Sequence, residues 1–257
     1  MSCSIALLRM FKTLAPAAAI TLAFVAPSAH ADWGWGKKIT GSGNIKTESR
    51  TATGFSGIAL AVAAKVELRQ GNTEAVSITG DDNIVALVET VVEDGKLKIR
   101  WNERNISTSY KELKITIDAK TVESLSISGS GDINADSINA KDFSTSISGS
   151  GDVRIKTLSA EKVNAKISGS GDVTLGGKAG KFEGKINGSG DIKAGNLETR
   201  SASVSIAGSG NATVWANDAL AVSVAGSGDV RYYGDATVSK SVAGSGSVKR
   251  IGKSPSA

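Results

Sequence analysis

From Ser124 onward, apolar and polar residues alternate one for one in short runs, and the runs recur at a fixed spacing. Ile127, Ile133 and Ala135 share one parity, with Ser126, Ser128, Ser130 and Asp132 on the other. Ile147, Val153 and Ile155 repeat the pattern, as do Val222, Val224, Val230 and Tyr232. Period-two alternation marks strands with one buried face and rules out helical repeats. Between the runs stands one phrase, first seen as Ser128-Gly129-Ser130-Gly131-Asp132-Ile133. Its leading glycines are Gly129, Gly149, Gly169, Gly188, Gly208, Gly226 and Gly244, at steps of 20, 20, 19, 20, 18 and 18. A period of this length predicts stacked repeats. The fold class expected is all-β, a right-handed parallel β-helix (β-solenoid) of about 20 residues per coil. That length accommodates three short strands and their corners, which favours a three-sided coil over a two-sided one.

The glycines allow two structural roles. In an extended segment they fall on the inward parity, at a narrow waist where backbones approach closely. In a tight corner they supply positive φ. Upstream, the region from Phe55 to Ala119 is strand-like without the strict repeat. Val62-Ala63-Ala64-Lys65-Val66-Glu67-Leu68 reads as one run, and Lys96-Leu97-Lys98-Ile99-Arg100-Trp101 and Leu113-Lys114-Ile115-Thr116-Ile117 alternate. Turn signals separate them at Gln70-Gly71-Asn72, Asp81-Asp82-Asn83 and Glu93-Asp94-Gly95. The expected organisation is irregular N-terminal β coils and cap over 32–120, regular repeats over 121–251 and a tail over 252–257. An isolated copy of the phrase, Gly41-Ser42-Gly43-Asn44-Ile45, precedes them.

Composition sharpens this picture at the N-terminus. Arg9 and Lys12, then an apolar stretch from Leu14 to Ala26, then Ala29-His30-Ala31, read as a signal peptide cleaved after Ala31. Translation from Met10 would leave that signal complete. The stretch is too short to span a bilayer, so no transmembrane segment is expected after cleavage. Export to the periplasm, the extracellular space or the cell surface follows. His30 and Cys3, the chain's one histidine and one cysteine, leave with the signal. Serine–histidine and cysteine–histidine catalysis, disulfides and ordinary zinc sites go with them. Loss of Arg9 and Lys12 lowers the net charge from +5 to +3. No clustered basic run stands out, so nucleic acid is not an expected partner. No proline lies between Asp32 and Ser254, which suits a backbone committed to sheet ladders. A monomer is expected.

Several stretches together resemble a known family. They are Gly41-Ser42-Gly43-Asn44 with Arg50 and Gly54-Phe55-Ser56-Gly57-Ile58, and Val66-Glu67-Leu68-Arg69-Gln70-Gly71 with Gly95-Lys96-Leu97-Lys98-Ile99. The Ser-Gly-Ser-Gly-Asp series completes the set. This combination is similar to the DUF2807 family, labelled putative auto-transporter adhesin, head GIN domain. The resemblance extends over nearly the whole mature chain and implies a β-helical, exported, non-enzymatic protein. An autotransporter's own pore would need a C-terminal barrel of many amphipathic strands, and only Gly252 to Ala257 follow the repeats.

Two groups of residues carry candidate chemistry. Asp132, Asp152, Asp172, Asp191, Asn211 and Asp229 would stack about 4.8 Å apart, the inter-strand spacing. Stacked carboxylates suit a hard cation such as calcium. Arg154, Lys193, Arg231 and Lys249, two residues on and facing the same side, can neutralise the column instead. An Asp after Gly also commonly bonds its own turn. A structural ladder is therefore the expectation, with no metal and no cofactor. Trp215, Tyr233 and Ile251 each stand five residues after a repeat glycine, and alternation turns them outward. They form a candidate contact patch or a cover for the last coils. A carbohydrate-active enzyme would need an acid–base pair distinct from the ladder, and none stands out. The function expected is a non-catalytic, adhesin-like binding or scaffolding module at the cell envelope. Its partner would be envelope polysaccharide or an envelope protein, the alternative being a structural envelope protein without a specific ligand.

Overall fold

The computed structural model describes residues 37–255; the expected signal segment, residues 1–31, lies outside them. The first half holds β1 (Lys37–Thr40), β2 (Ile45–Arg50), β3 (Gly57–Leu60), β4 (Lys65–Gln70) and β5 (Ala75–Asp81). One helical turn, α1 (Asp82–Val85), leads to β6 (Val88–Glu93), β7 (Lys96–Trp101), β8 (Ile106–Ser109) and β9 (Lys114–Ala119). The repeats form β10 (Ser124–Gly129), β11 (Asp132–Gly149), β12 (Val153–Gly169), β13 (Val173–Gly188), β14 (Ile192–Gly208) and β15 (Ala212–Gly226). The last coil pieces are β16 (Val230–Tyr233), β17 (Thr237–Gly244) and β18 (Val248–Gly252). From β10 to β18 every pairing is parallel, each coil lying on the one before. The chain is a parallel β-solenoid.

Each coil has three sides. In β11 the inward residues are Ile133 and Ala135, then Ile138 and Ala140, then Phe143, Thr145 and Ile147. The alternation skips at Asp136-Ser137 and at Lys141-Asp142, where two exposed residues follow one another and the chain turns. The repeat phrase makes the third corner. Register keeps like on like. Ile147, Ile167, Ile186, Ile206 and Val224 form one inward column and Phe143, Val163, Phe182, Ala202 and Leu220 another. All ten are buried, and each fully buried aliphatic contributes about 1.5–3 kcal/mol.

Both glycine roles occur, one on each glycine of the phrase. The first of each pair takes positive φ, from 116° at Gly129 to 135° at Gly226, where a side chain would be strained. The second is the waist. A Cβ on Gly151, Gly171, Gly190, Gly210 or Gly228 would strike the carbonyl oxygen of the glycine one coil earlier and lie 2.9 Å from an isoleucine methyl.

At the N-terminal end the coils stack out of chain order. β3 pairs with β10 on one edge and β7 on the other, and β4 likewise with β11 and β9. The coil of β3 and β4 therefore lies inside one formed later in the chain. Antiparallel strands then end the parallel stack, β6 on β7, and β5 on β9 with β2 beyond it. The run expected from Val62 to Leu68 is divided: β4 begins at Lys65, and Val62-Ala63-Ala64 form a corner without glycine, because the coil still has to turn there. In the outermost coil, residues 102–112 replace that corner with an excursion. Tyr110 pins it by packing edge-on against Trp101 (6.1 Å) and donating to the Ala63 carbonyl (2.7 Å).

The isolated copy near the start is not a coil corner. Its Ser42 and Gly43 amides donate to the side chains of Asn83 (2.9 Å) and Asp81 (2.7 Å), clasping the start of α1. At the other end β17 and β18 each pair with one neighbour among the described residues. There Lys240 stands in the register of Val222 and Arg250 in that of Tyr232. Charges in core columns blunt an open sheet edge.

Candidate functional site

The Asp column is built by the needs of the corner. In most coils after the first phrase the amides of the second Ser and Gly converge on one carbonyl, as Ser170 and Gly171 do on Gly149 (2.9 and 3.2 Å). The following amide, that of the Asp, then has no main-chain acceptor. The carboxylate one coil earlier supplies it. Asp152, Asp172 and Asp191 amides donate to the Oδ1 atoms of Asp132, Asp152 and Asp172 at 3.1, 2.9 and 3.0 Å. The series continues through Asn211 on Asp191 (2.9 Å), Asp229 on Asn211 (3.1 Å) and Ser247 on Asp229 (2.9 Å). Each acid thus bonds the next coil and not its own turn, because the amide left over belongs to that coil.

The second carboxylate oxygens meet cations in two places, Arg154 on Asp152 and Lys193 on Asp172, both at 2.6 Å. The hydroxyl and then the amide of Ser247 hold the Asp229 carboxyl below the ordinary carboxylate range. The hydrogen bond to Asp172 raises the Lys193 ammonium above its usual value. Among the described residues no three His, Cys, Asp or Glu side chains converge as metal ligands do. The column can tie coil to coil, and its inner oxygens are committed to doing so.

Trp215 and Tyr233 lie side by side in register on β15 and β16, both half-buried. The Trp215 indole N–H donates to Asn217 Oδ1 (3.0 Å), and the Asn217 amide donates on to Glu198 (3.2 Å). The Tyr233 ring fits between two glycines, 3.3 Å from where a Cβ of Gly195 would stand and 3.4 Å from one on Gly252. Ile251 does not extend this column. A register shift after Tyr232 sets Gly252 opposite Tyr233, and Ile251 is the extra residue, 39% exposed. Up to Tyr232 the partners are 18 residues apart, and from Tyr233 they are 19, so one extra residue bulges from the last strand. A separate register shift between β14 and β15, after Ala194, pairs Trp215 with Glu198.

A third arrangement was not picked out in the sequence. On the outer surface, Lys162 stands beside Lys181 and Lys166 beside Lys185. At the corner between the second and third sides, Glu161, Lys162, Gly180, Lys181, Arg200, Ser201 and Asp218 line an open cleft. The signal was available: both lysine pairs are one 19-residue step apart.

The sequence profile of the DUF2807 family, described as putative auto-transporter adhesin, head GIN domain, matches residues 54–236. A crystal structure titled a putative adhesin from Bacteroides fragilis is 30% identical, with a TM-score of 0.78 over 83% of this chain and 100% of that one. One titled a putative lipid binding protein from Parabacteroides distasonis is 26% identical, with a TM-score of 0.72 over 84% and 100%. A putative adhesin from Parabacteroides merdae, 22% identical with a TM-score of 0.64 over 84% and 99%, shares the fold. No curated protein matches the chain. Among the described residues no helix is long and apolar enough to cross a membrane.

Proposed function

The chain belongs to the DUF2807 family, and from that membership we propose an exported, non-catalytic, adhesin-like module that binds at the cell envelope. The observation that carries this reading is the rigid Trp215–Tyr233 pair. Two aromatic rings on adjacent coils keep part of their faces in solvent while hydrogen bonds and flanking glycines fix their positions. A ring held in place loses little freedom on contact, and aromatic faces suit sugar rings or a partner's side chains. The commitment of the ladder carboxylates to backbone amides supports a binding role over a hydrolytic one. The names of the relatives, adhesin and lipid binding protein, point the same way.

The test is retention of envelope material, polysaccharides included, by the immobilised protein, with a solenoid of scrambled surface as the control. The wild type is expected to retain material above that control. Trp215→Ser with Tyr233→Ser is expected to lose most of it with a small fall in melting midpoint, the variant staying folded. No retention by the wild type would overturn the proposal in favour of a purely structural envelope protein. A fall in stability with full retention would make the two rings packing elements and move the contact elsewhere.

A further inference from the structure

Parallel in-register stacking makes each outward residue the neighbour of its counterpart one coil away, about 4.8 Å across the ladder. In several places this sets a cation near an acid one coil away: Lys156 pairs with Asp136, Lys193 with Asp172 and Lys178 with Glu198, while Arg154 reaches Asp152 within its own coil. On the third side of β12 and β13 it sets like beside like. Lys162 faces Lys181 and Lys166 faces Lys185. Among the described residues Lys162, Lys166, Lys181 and Arg200 form no ion pair, while Lys185 reaches Glu183 at 3.4 Å. Gly180 opens the corner between them. A Cβ there would lie 3.4 Å from Arg200 Nη2 and 2.7 Å from the Glu161 carbonyl oxygen, so the guanidinium lies back over the gap. Three cations therefore line a notch into which the Arg200 guanidinium reaches, and a second lysine pair lies four residues along the strand, about 13 Å away. Adjacent like charges repel, and a bound anion relieves that repulsion.

We propose that this cleft seats the charged group of an anionic glycan chain, with Lys162, Lys181 and Arg200 around one group and Lys166 and Lys185 meeting the next. The proposal rests on the envelope-binding reading and adds a site and the charge of the ligand. Glu161 and Asp218 line the cleft as well, so its cationic pull is confined to the notch and suits one carboxylate at a time. The neighbouring outward positions Ser144, Ser146, Asn164, Ser203 and Ser205 offer hydroxyl and amide partners to sugar hydroxyls, and Glu183, opposite Asn164 between the two lysine pairs, is paired with Lys185. Among the described residues the large exposed apolar side chains, Ile45, Val242 and Ile251, lie outside these coils, which argues against insertion into lipid.

The experiment measures binding of the whole mature protein to polygalacturonate, with neutral dextran, phosphatidylglycerol vesicles and single-stranded DNA as comparators. Binding to polygalacturonate and not dextran is expected, weakening as salt rises. Lys162→Gln, Lys181→Gln and Arg200→Gln together should lower the affinity at least about tenfold, as loss of several charge contacts does. A control with Lys240, Lys249 and Lys253 changed to Gln removes the same charge elsewhere and should change it less than about twofold on the same grounds. Equal losses in both variants would overturn the site, as would cleft-dependent binding of vesicles or DNA without the glycan. Full retention of envelope material by the cleft variant, with no polygalacturonate bound by the wild type, sinks this inference and leaves the envelope reading standing. Failure of the wild type to retain any envelope material sinks the envelope reading itself.

Discussion

Replacing Asp172 by Ala removes the acceptor of the Asp191 amide (3.0 Å) and the partner of Lys193 (2.6 Å). No carbonyl can substitute, because the Ser189 and Gly190 amides already share that of Gly169. A hydrogen bond to a charged group contributes about 1.5–3 kcal/mol, and partial exposure places this one at about 1–2. The ion pair adds less than about 1 kcal/mol, since its side chains keep 28% and 53% of their surface in solvent. Asp172→Ala should therefore cost about 2 kcal/mol. Asp172→Asn keeps the acceptor and loses only the charge, so it should cost under about 1 kcal/mol on the same reckoning. The chain already contains this substitution at Asn211, whose Oδ1 receives the Asp229 amide at 3.1 Å. Urea midpoints compare the two variants, and hydrogen exchange at the Asp191 amide provides a local reading, which stacked repeats need because neighbouring coils can open separately. The reasoning is refuted if Asn is as harmful as Ala, or if Asp191 stays fully protected in the Ala variant.

Ile167→Asp buries a carboxyl in a column whose neighbours are Ile147 and Ile186; it should cost on the order of 4 kcal/mol or more, and a loss no greater than that of Asp172→Ala in urea would mean the faces are misassigned. Gly190→Ala drives a methyl into the Gly171 carbonyl and to 2.9 Å from Ile167 Cγ2, at the upper end of overpacking, about 3 kcal/mol. Gly71→Ala meets nothing within 4 Å and should leave the urea midpoint nearly unchanged; equal effects at the two glycines would refute the waist. Asp82, Glu93, Asp136 and Asp229 are held below ordinary carboxylate values, chiefly by hydrogen bonds from Ser42, Lys98, Lys156 and Ser247. Carboxyls depressed in the fold favour it above their unfolded values near 4 and lose that advantage as pH falls through the folded ones. The melting midpoint should therefore stay level from neutral pH to about 5 and drop below about 4; a drop already between pH 7 and 5 would contradict this.

The period-two alternation and the 20-residue step were enough to make the solenoid legible, because which residue faces inward is a local property of an extended chain. Ile147, Ile167 and Val224 could be placed in the core for that reason, and all three are buried. The 19-residue step from Gly169 to Gly188, added once, would have paired Lys162 with Lys181 and Lys166 with Lys185. What pattern alone could not supply is the identity of neighbours where the step changes or ends. Ile251 left the aromatic column because β18 carries one extra residue opposite β16, which sets Gly252 across from Tyr233. Gly41-Ser42-Gly43-Asn44 shares the repeat's wording and clasps α1, since the strand after it, β2, pairs antiparallel to β5 rather than lying on a coil. Val62-Ala63-Ala64 turn a corner without glycine, beneath Gly131, whose Cβ would strike the Val62 carbonyl. The Asp ladder was visible as a column, but its acceptor role depends on which amide a neighbouring corner leaves unpaired. Strand parity is set within a few residues of chain, whereas the partner across a ladder is chosen by edges brought together from distant segments, and only the folded stack decides that.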